Sequence, residues 1–223
     1  GGAERWIATL VGNFRTCRPA GVWVDGPEAG PHVHADMLRE VRRFCPVYRG
    51  DRGLDLGAVG RLGHAGEVGA VCIYQGVLQF TRDPALRSFA EHHLLTEQKH
   101  LRLISAWLPS SQHSRLLPLW RLAGFLTGAL PALFGSKAVY ATIEAVETFV
   151  NHHYEEQILA LARQIELRNL RQTLLDCQAD EVAHRDEAAA ASQGLIQSGW
   201  MLRVWCAVVG AGSKAAVSLI RHI

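Results

Sequence analysis

The sequence lacks an excess of charge of either sign. Its 23 Lys and Arg residues nearly balance its 21 Asp and Glu residues, so the formal net charge is +2 at pH 7. Nucleic-acid-binding domains usually concentrate basic residues on one surface, often interleaved with exposed aromatic residues. The sequence shows no such cluster, which argues against nucleic acid as a partner.

The cysteine patterns of disulfide frameworks and zinc sites are also missing. The five cysteines are odd in number and far apart, and no two form a Cys-x-x-Cys pair. They are Cys17, Cys45, Cys72, Cys177 and Cys206. This distribution is typical of reduced thiols rather than of a disulfide-stabilised fold or a zinc knuckle.

Two further absences concern the fold. The dinucleotide-binding pattern Gly-x-Gly-x-x-Gly does not occur, and Gly210-x-Gly212 is only a pair of glycines in a helical run. No segment alternates apolar and polar residues in the manner of a half-buried strand. The sequence therefore predicts an all-α fold without a nucleotide-binding domain of its own.

Helical periodicity extends through most of the chain from residue 56 onward. We predict helices over Leu56–Thr81, Ala85–Trp107, Leu116–Phe134, Lys137–Glu166, Leu170–Gln193 and Trp200–Ile223. Asp83 and Pro84 stand where an N-cap residue and a first-turn proline precede a helix. Prolines and glycines interrupt residues 1–55, where we predict an irregular N-terminal extension before a helical domain over residues 56–223.

Two of the predicted helices carry a Glu-x-x-His step. The pairs are Glu97 with His100 and Glu181 with His184. Residues three apart on a helix share a face about one turn from each other, so each pair presents a carboxylate and an imidazole to one point. Each pair is half of a metal site. Two such steps can arise by chance, so the inference depends on their surroundings.

A single glutamate precedes each step by one helical hairpin. Glu67 stands 30 residues before the first step, on a helix face of Gly and Ala that is not typical of a solvated charge. Glu147 stands 34 residues before the second step. Folding the two hairpins together would form a ferritin-like four-helix bundle with four carboxylates and two imidazoles pointing inward.

Four carboxylates in a low-dielectric core repel one another and require compensation. Two divalent cations would provide it, and a set of oxygen and imidazole ligands favours iron or manganese over metals that prefer thiolates. The alternative is that these groups form buried salt bridges or solvated helix faces. The repetition of the pattern favours the metal site. Its predicted ligands are Glu67, Glu97, His100, Glu147, Glu181 and His184.

Longer motifs surround these positions. They are Arg-x-x-His-Ala-Gly-Glu-x-Gly-Ala-x-x-Ile-Tyr-x-Gly from Arg61 to Gly76, Glu97-x-x-His100-Leu101, Leu117-Pro118-Leu119-Trp120, His152-His153-Tyr154 and Asp180-Glu181-x-x-His184. Together they cover about residues 57–223 and resemble the demethoxyubiquinone hydroxylase family of ubiquinone biosynthesis. The family pattern has an aspartate where this chain has Gly63, so the hydrogen bond of that aspartate is not expected here.

The resemblance implies a di-iron monooxygenase, an O₂-dependent 5-demethoxyubiquinone hydroxylase that acts on the quinone ring of a polyprenylated substrate. The implied assignment is Glu67 and His100 to one iron, Glu147 and His184 to the other, and Glu97 and Glu181 as bridges. His153 and Tyr154, about two turns beyond Glu147, are candidate catalytic residues for gating and hydrogen bonding. The implied ultimate electron donor is NADH.

The apolar segment Leu116–Phe134 has a single charged residue, Arg121, and is interrupted by two prolines and two glycines. A polyprenyl tail partitions into a bilayer, so we expect this segment to lie in one leaflet as part of a peripheral enzyme. The alternative is a buried core helix or a dimer interface. The resemblance implies the mitochondrial inner membrane (matrix side) or the bacterial inner membrane (cytoplasmic side), with a lipid-binding accessory protein as a further partner.

Two other functions are compatible with the ligand pattern. A ferritin-like protein could bind and oxidise iron without hydroxylating a quinone. A scaffold could retain the bundle without any activity. The apolar segment favours the hydroxylase, because storage shells present polar outer faces.

Overall fold

The computed structural model of the chain describes residues 56–162, 164–192 and 199–221. These ranges contain six α-helices and no β-strand, which confirms the predicted all-α class. The helices are α1 Leu56–Phe80, α2 Pro84–Trp107, α3 Leu117–Ala132, α4 Ser136–Leu161, α5 Arg168–Ser192 and α6 Trp200–Arg221. Short 3₁₀ turns lie at Ser110–Gln112 and Ile165–Leu167. The predicted extension over residues 1–55 lies outside the described residues.

Helices α1, α2, α4 and α5 form a ferritin-like four-helix bundle, and α3 connects its two halves. The start of α2 shows why the chain turns there. The Asp83 carboxylate accepts hydrogen bonds from the backbone N–H groups of Ala85 at 2.9 Å and Leu86 at 3.4 Å. Pro84 occupies the first helical position, where its missing N–H has no intrahelical partner to lose.

Helix α4 is shorter than the sequence predicted. The predicted helix over Lys137–Glu166 is wrong at its C-terminal end, because α4 ends at Leu161 and a 3₁₀ turn follows at Ile165–Leu167. Gln164 adopts an extended conformation with φ −102° and ψ 91°. The antiparallel pair α4 and α5 needs a reversal of direction here, and the reversal takes residues from the helical run.

Two apolar clusters lie inside the bundle, one towards each end. The first joins α1, α2, α4 and α5 through residues that include Tyr74, Phe89 and Ile143. The second joins α2, α4 and α5 through residues that include Leu161 and Leu174. The predicted metal ligands fall between the two clusters along α2, α4 and α5. The apolar clusters therefore enclose a polar layer.

Helix α3 packs closely along α1 through glycines. A Cβ atom at Gly128 would overlap the carbonyl oxygen of Ile73, and a Cβ at Gly124 would overlap the carbonyl oxygen of Gly69. From the other side, a Cβ at Gly76 would overlap the carbonyl oxygen of Phe125. Glycine at these positions allows the two backbones to touch. One face of α3 is thus buried against the bundle.

The opposite face of α3 remains exposed and apolar, including Leu119 and Leu122. The helix occupies Leu117–Ala132 rather than the whole predicted segment Leu116–Phe134. Across the described part of the chain, every helix is too short or too polar to cross a lipid bilayer.

Helix α6 packs on α4 and α1. The indole N–H of Trp205 donates to the Thr142 hydroxyl at 2.9 Å, and the Cys206 thiol donates to the Ala141 carbonyl at 3.4 Å. Farther along α6, Val217 packs against Leu62 at the beginning of α1. These contacts orient α6 antiparallel to α1.

Candidate metal centre

The structure brings the six predicted ligands together in the polar layer. Two groups form, and within each group one ligand atom per residue lies within 4.8 Å of the others. The first group is Glu67, Glu97, His100 and Glu181, and the second is Glu97, Glu147, Glu181 and His184. Glu97 and Glu181 belong to both groups, which is the arrangement expected of residues that bridge two ions.

Several atoms of this cluster are buried without a hydrogen-bond partner among the described residues. They are Oε2 of Glu67, both carboxylate oxygens of Glu97, Oε2 of Glu181 and Nδ1 of His184. Nδ1 of His184 lies 3.3 Å from Oε1 of Glu97 and 3.2 Å from Oε2 of Glu181, which is close enough for an ion pair but lacks the geometry of a hydrogen bond. Glu97 and His100 are completely buried. A buried carboxylate oxygen without a partner is strongly unfavourable, and coordination to a cation removes the penalty. The donor set therefore fits a pair of divalent metal ions.

The pKa values of the carboxylates in the cluster also favour bound cations. Burial, followed by the charge of Glu181, raises the pKa of Glu67 from 4.5 to about 7. The same two causes raise the pKa values of Glu97 and Glu147 well above 4.5. Without a metal ion, carboxylates placed this close hold protons near neutral pH. A bound cation would replace those protons.

Glu181 behaves differently because two imidazoles contact it. Burial raises the pKa of Glu181, but the hydrogen bond to His100 and the close, charged contact with His184 outweigh burial and lower the pKa to about 2. Burial lowers the pKa of His100, whereas its hydrogen bond to Glu181 and the neighbouring carboxylates raise the pKa to about 9. The Nδ1 atom of His100 lies 2.9 Å from Oε1 of Glu181.

The other ring nitrogen of His100 has its own partner. Its Nε2–H donates to Oδ2 of Asp180 at 3.0 Å, and the Lys99 ammonium donates to the same oxygen at 3.2 Å. With a pKa of about 9, the metal-free ring carries a proton on both nitrogens. If a metal ion replaced the proton on Nδ1, the carboxylate on Nε2 would keep the other proton in place and leave the Nδ1 lone pair facing the cluster. The sequence motif contained Asp180, but its role depends on the packing of α5 against α2.

His184 has a different environment. The edge of its ring meets the ring of His93, with centroids 4.1 Å apart, and Nε2 of His93 lies 3.0 Å from Oε2 of Glu187. Sequence reasoning missed His93. The spacing in the sequence could have indicated His93, because it stands seven residues before His100 and both therefore lie on one helix face.

The two predicted catalytic residues both line the cavity beside this cluster but have different hydrogen-bond partners. The Tyr154 hydroxyl donates to Oε1 of Glu67 at 2.5 Å. His153 is half-buried, and its Nε2 atom lies 2.7 Å from the amide nitrogen of Gln157, one turn farther along α4. The amide N–H donates in this pair, so Nε2 of His153 acts as the acceptor.

A cavity of about 360 Å³ leads from the surface to the cluster. Three ligands, Glu67, Glu147 and Glu181, form part of its wall, and the remaining wall is mostly apolar. Gly63 and the exposed Gly66 also line the cavity. A Cβ at Gly66 would meet nothing within 4 Å, so its missing side chain leaves the cavity open instead of allowing close packing.

Comparison with characterised proteins finds relatives of this chain. The chain is 35% identical over 129 residues to the NADPH-dependent 3-demethoxyubiquinone 3-hydroxylase of Dictyostelium discoideum, a match that covers 56% of this chain and 58% of that protein. It is 35% identical over 159 residues to the 3-demethoxyubiquinol 3-hydroxylase of Rhodospirillum rubrum, which covers 65% of this chain and 74% of that protein. It is 32% identical over 190 residues to the 3-demethoxyubiquinol 3-hydroxylase of Ralstonia pickettii, a match that covers 84% of this chain and 83% of that protein.

The model of a protein family also matches the chain. The family is described as "Ubiquinone biosynthesis protein COQ7", and the match extends over residues 55–220. That range includes all six residues of the metal cluster, the cavity and helix α3. The chain therefore belongs to the COQ7 family of ubiquinone biosynthesis proteins, as the motifs in its sequence indicated.

Proposed function

We propose that the chain is a di-iron monooxygenase that hydroxylates the quinone ring of a polyprenylated demethoxyubiquinone. One observation carries this proposal: two overlapping ligand groups share Glu97 and Glu181 and adjoin an apolar cavity that opens to the surface. The names of the three relatives described above, which are demethoxyubiquinone or demethoxyubiquinol hydroxylases, support the substrate class.

The protein would hold one iron ion with Glu67 and His100 and the other with Glu147 and His184. A ferrous pair, when bound, would supply the electrons that activate dioxygen. The buried carboxylates would balance the charge of the two ions, and Asp180 would keep His100 in the tautomer that can coordinate metal.

The cavity would position the ring beside the ligands. Its volume of about 360 Å³ is in the range of small-molecule sites, and its wall is apolar apart from the ligand carboxylates and a few polar groups. The ring would lie near Glu147 while the polyprenyl tail leaves between α3 and α6. An apolar wall also keeps bulk water away from the reacting groups.

His153 and Tyr154 would act at the end of this cavity. His153 lines the cavity and would hydrogen-bond an oxygen substituent of the ring, with Gln157 restraining its imidazole. Tyr154 would hold Glu67 in place and keep a proton at its hydroxyl. Burial, followed by the charge of Glu67, raises the pKa of Tyr154 well above 10, so the phenol stays protonated.

Electrons would come from a reduced nicotinamide nucleotide. The resemblance in sequence implied NADH, whereas the name of the Dictyostelium relative specifies NADPH. The sequence has no dinucleotide-binding glycine motif, so the nucleotide would act from the surface or through the quinone itself.

The membrane would be the source of the substrate. Relatives with mitochondrial and with bacterial origins occur, so we place the chain peripherally on the mitochondrial inner membrane or the bacterial inner membrane. The exposed apolar faces of α3 and α6 would contact the bilayer. A lipid-binding accessory protein of the pathway would be a further partner.

A product assay tests the hydroxylase. Iron-loaded protein, a demethoxyubiquinone with a short prenyl tail in detergent, and either NADH or NADPH are incubated under ¹⁸O₂. We expect a ring-hydroxylated product that carries one ¹⁸O atom, and no product under nitrogen. Oxidation of iron without this product would instead support a ferritin-like iron-oxidising protein. The variant Glu144→Gln should still form the product, because Glu144 lies on α4 outside the ligand groups and accepts a hydrogen bond from Ser192.

A further inference from the structure

Acidic residues are missing from two long stretches of the chain. None occurs from Gln98 to Ile143, and none occurs from Ala188 to Ile223, although the chain contains 21 Asp and Glu residues. The same stretches contain eight basic residues. They are Lys99, Arg102, Arg115, Arg121, Lys137, Arg203, Lys214 and Arg221. All of α3 and all of α6 therefore lie in segments that carry positive charge and no negative charge.

The fold places these two helices side by side along the cavity. At one end, Leu117 of α3 and Val217 of α6 both pack against Leu62 and Ala65 of α1. At the other end, Ala132 of α3 and Val209 of α6 both pack against the first apolar cluster. Helices α3 and α6 thus run antiparallel to each other across α1, and both contribute to the cavity wall.

The cavity opens between them. Exposed positions in its wall are Ala123 on α3, Gly66 on α1, and Val208 and Gly212 on α6. Helices α3 and α6 and the residue Phe134 just after α3 present large apolar side chains to solvent; these side chains, the apolar face, include Leu119, Leu122, Phe134, Trp200, Val204 and Val208. Phe134 is 83% exposed and Trp200 is 69% exposed. Exposed apolar surface of this kind marks an interaction site.

Cations border this apolar face. Arg203 and Lys214 are exposed and stand eleven residues apart on α6, which is three turns plus about 20° at 3.6 residues per turn. Both therefore lie on one edge of the helix. On the other side, exposed Arg115 precedes α3 and exposed Lys137 follows it. Apolar side chains bordered by long basic side chains suit the boundary between acyl chains and headgroups.

We propose that Arg203 and Lys214 select negatively charged headgroups, so that the membrane contact of this face is made preferentially with an anionic leaflet. The inference rests on the proposed function, since a polyprenylated substrate reaches the cavity from lipid. Charge complementarity identifies the occupant: both helices lack acidic residues, and basic residues near a membrane surface increase binding to anionic lipid but not to neutral lipid. The cavity would then open directly onto the bilayer.

Vesicle flotation tests this docking. Full-length protein is mixed with vesicles of phosphatidylcholine alone or of phosphatidylcholine with phosphatidylglycerol, without iron, nucleotide or quinone. We expect binding to the vesicles with phosphatidylglycerol to be at least about tenfold stronger and to weaken as salt is added. The double variant Arg203→Gln with Lys214→Gln should lose about tenfold in affinity for those vesicles and little for neutral ones.

A second charge-neutralised pair is the matched control. Arg102→Gln with Arg168→Gln removes the same charge from exposed positions on α2 and α5, away from the cavity opening. We expect it to bind like the unmodified protein. Equal binding of the unmodified protein to both vesicle types, no vesicle binding, or an equal loss in both double variants would overturn the proposal. The hydroxylase assay in detergent is independent of these outcomes, so the two proposals can fail separately.

Discussion

The hydroxyl of Tyr154 on α4 donates a hydrogen bond of 2.5 Å to Oε1 of Glu67 on α1. Both residues are buried, and the other oxygen of Glu67, Oε2, has no hydrogen-bond partner among the described residues. Tyr154 therefore occupies one lone pair of Glu67 and orients the other oxygen towards the ligand cluster. Hydrogen-bond partners that orient a metal ligand in this way influence the affinity of the site for metal.

Replacing Tyr154 by Phe should weaken metal binding or turnover by about 10–100-fold, because the ring remains while the hydrogen bond to Glu67 is lost. Metal titration and the hydroxylase assay measure the two effects. Tyr140→Phe is the control, since Tyr140 packs against Phe89 and lies outside the ligand groups. Unchanged affinity together with unchanged turnover in Tyr154→Phe would show that the hydrogen bond has no such role.

Variants of the two ligands shared by both groups should bind fewer metal ions than variants of ligands that belong to one group only. Glu181→Ala or Glu97→Gln should abolish binding of both ions, because each residue belongs to both groups. Glu67→Gln or Glu147→Gln should leave about one ion per chain. Metal analysis of purified, iron-loaded protein measures the ratio, and circular dichroism verifies that the variants remain helical. Retention of two ions in Glu181→Ala would refute the ligand assignment.

Asp180→Asn should weaken metal binding by about 10–100-fold while leaving the stoichiometry unchanged. The amide can still contact Nε2 of His100, but it cannot accept from Nε2–H and Lys99 with the strength of a carboxylate. Competition with a chelator measures the affinity. Asp186→Asn, whose partner is Arg185 on the surface, should behave like the unmodified protein.

Metal-free protein should lose stability as pH rises from about 5 to about 9. The pKa of Glu67 is raised from 4.5 to about 7. Its contribution to the free energy of unfolding is therefore complete below pH 4.5 and disappears as pH rises through 7. The pKa of His100 is raised from 6.5 to about 9, so its contribution is complete below pH 6.5 and disappears as pH rises through 9.

Glu181 has the opposite sign, because its pKa is lowered from 4.5 to about 2. Its contribution is present above pH 4.5 and disappears as pH falls through 2, outside the range considered above. Thermal melts of the metal-free protein between pH 5 and pH 9 measure the slope. Metal-loaded protein should instead lose stability on acidification, since protons then displace the ions. A melting temperature that rises with pH in the metal-free protein would contradict the prediction.

Glycines of α1 and α3 should respond to substitution in two different ways. Gly128→Ala should destabilise the fold by about 1–3 kcal/mol or more, because its Cβ would overlap backbone atoms of Ile73 that cannot move independently. Gly69→Ala should be neutral or stabilising by up to about 1 kcal/mol, since its Cβ meets nothing within 4 Å. Urea denaturation measures both. Equal effects at the two positions would mean that α3 does not pack on α1 as described.

Local spacing was sufficient to identify the six candidate ligands, because the period of a helix brings residues such as Glu181 and His184 to one face whatever surrounds them. The same reasoning could not find the contact between His93 and Glu187, which joins α2 to α5. Contacts between helices depend on how each helix is rotated and shifted along its neighbour. Those quantities are not encoded in the periodicity of either helix alone.

By itself, the sequence determined the helical class, the ligand types and the family resemblance, since all three follow from residue identity and short-range spacing. Only the tertiary structure decided that Tyr154 reaches Glu67, that Asp180 contacts Nε2 of His100, and that α3 and α6 border one cavity. The physical reason is that close packing, such as that of Gly128 against Ile73, sets the register of whole helices.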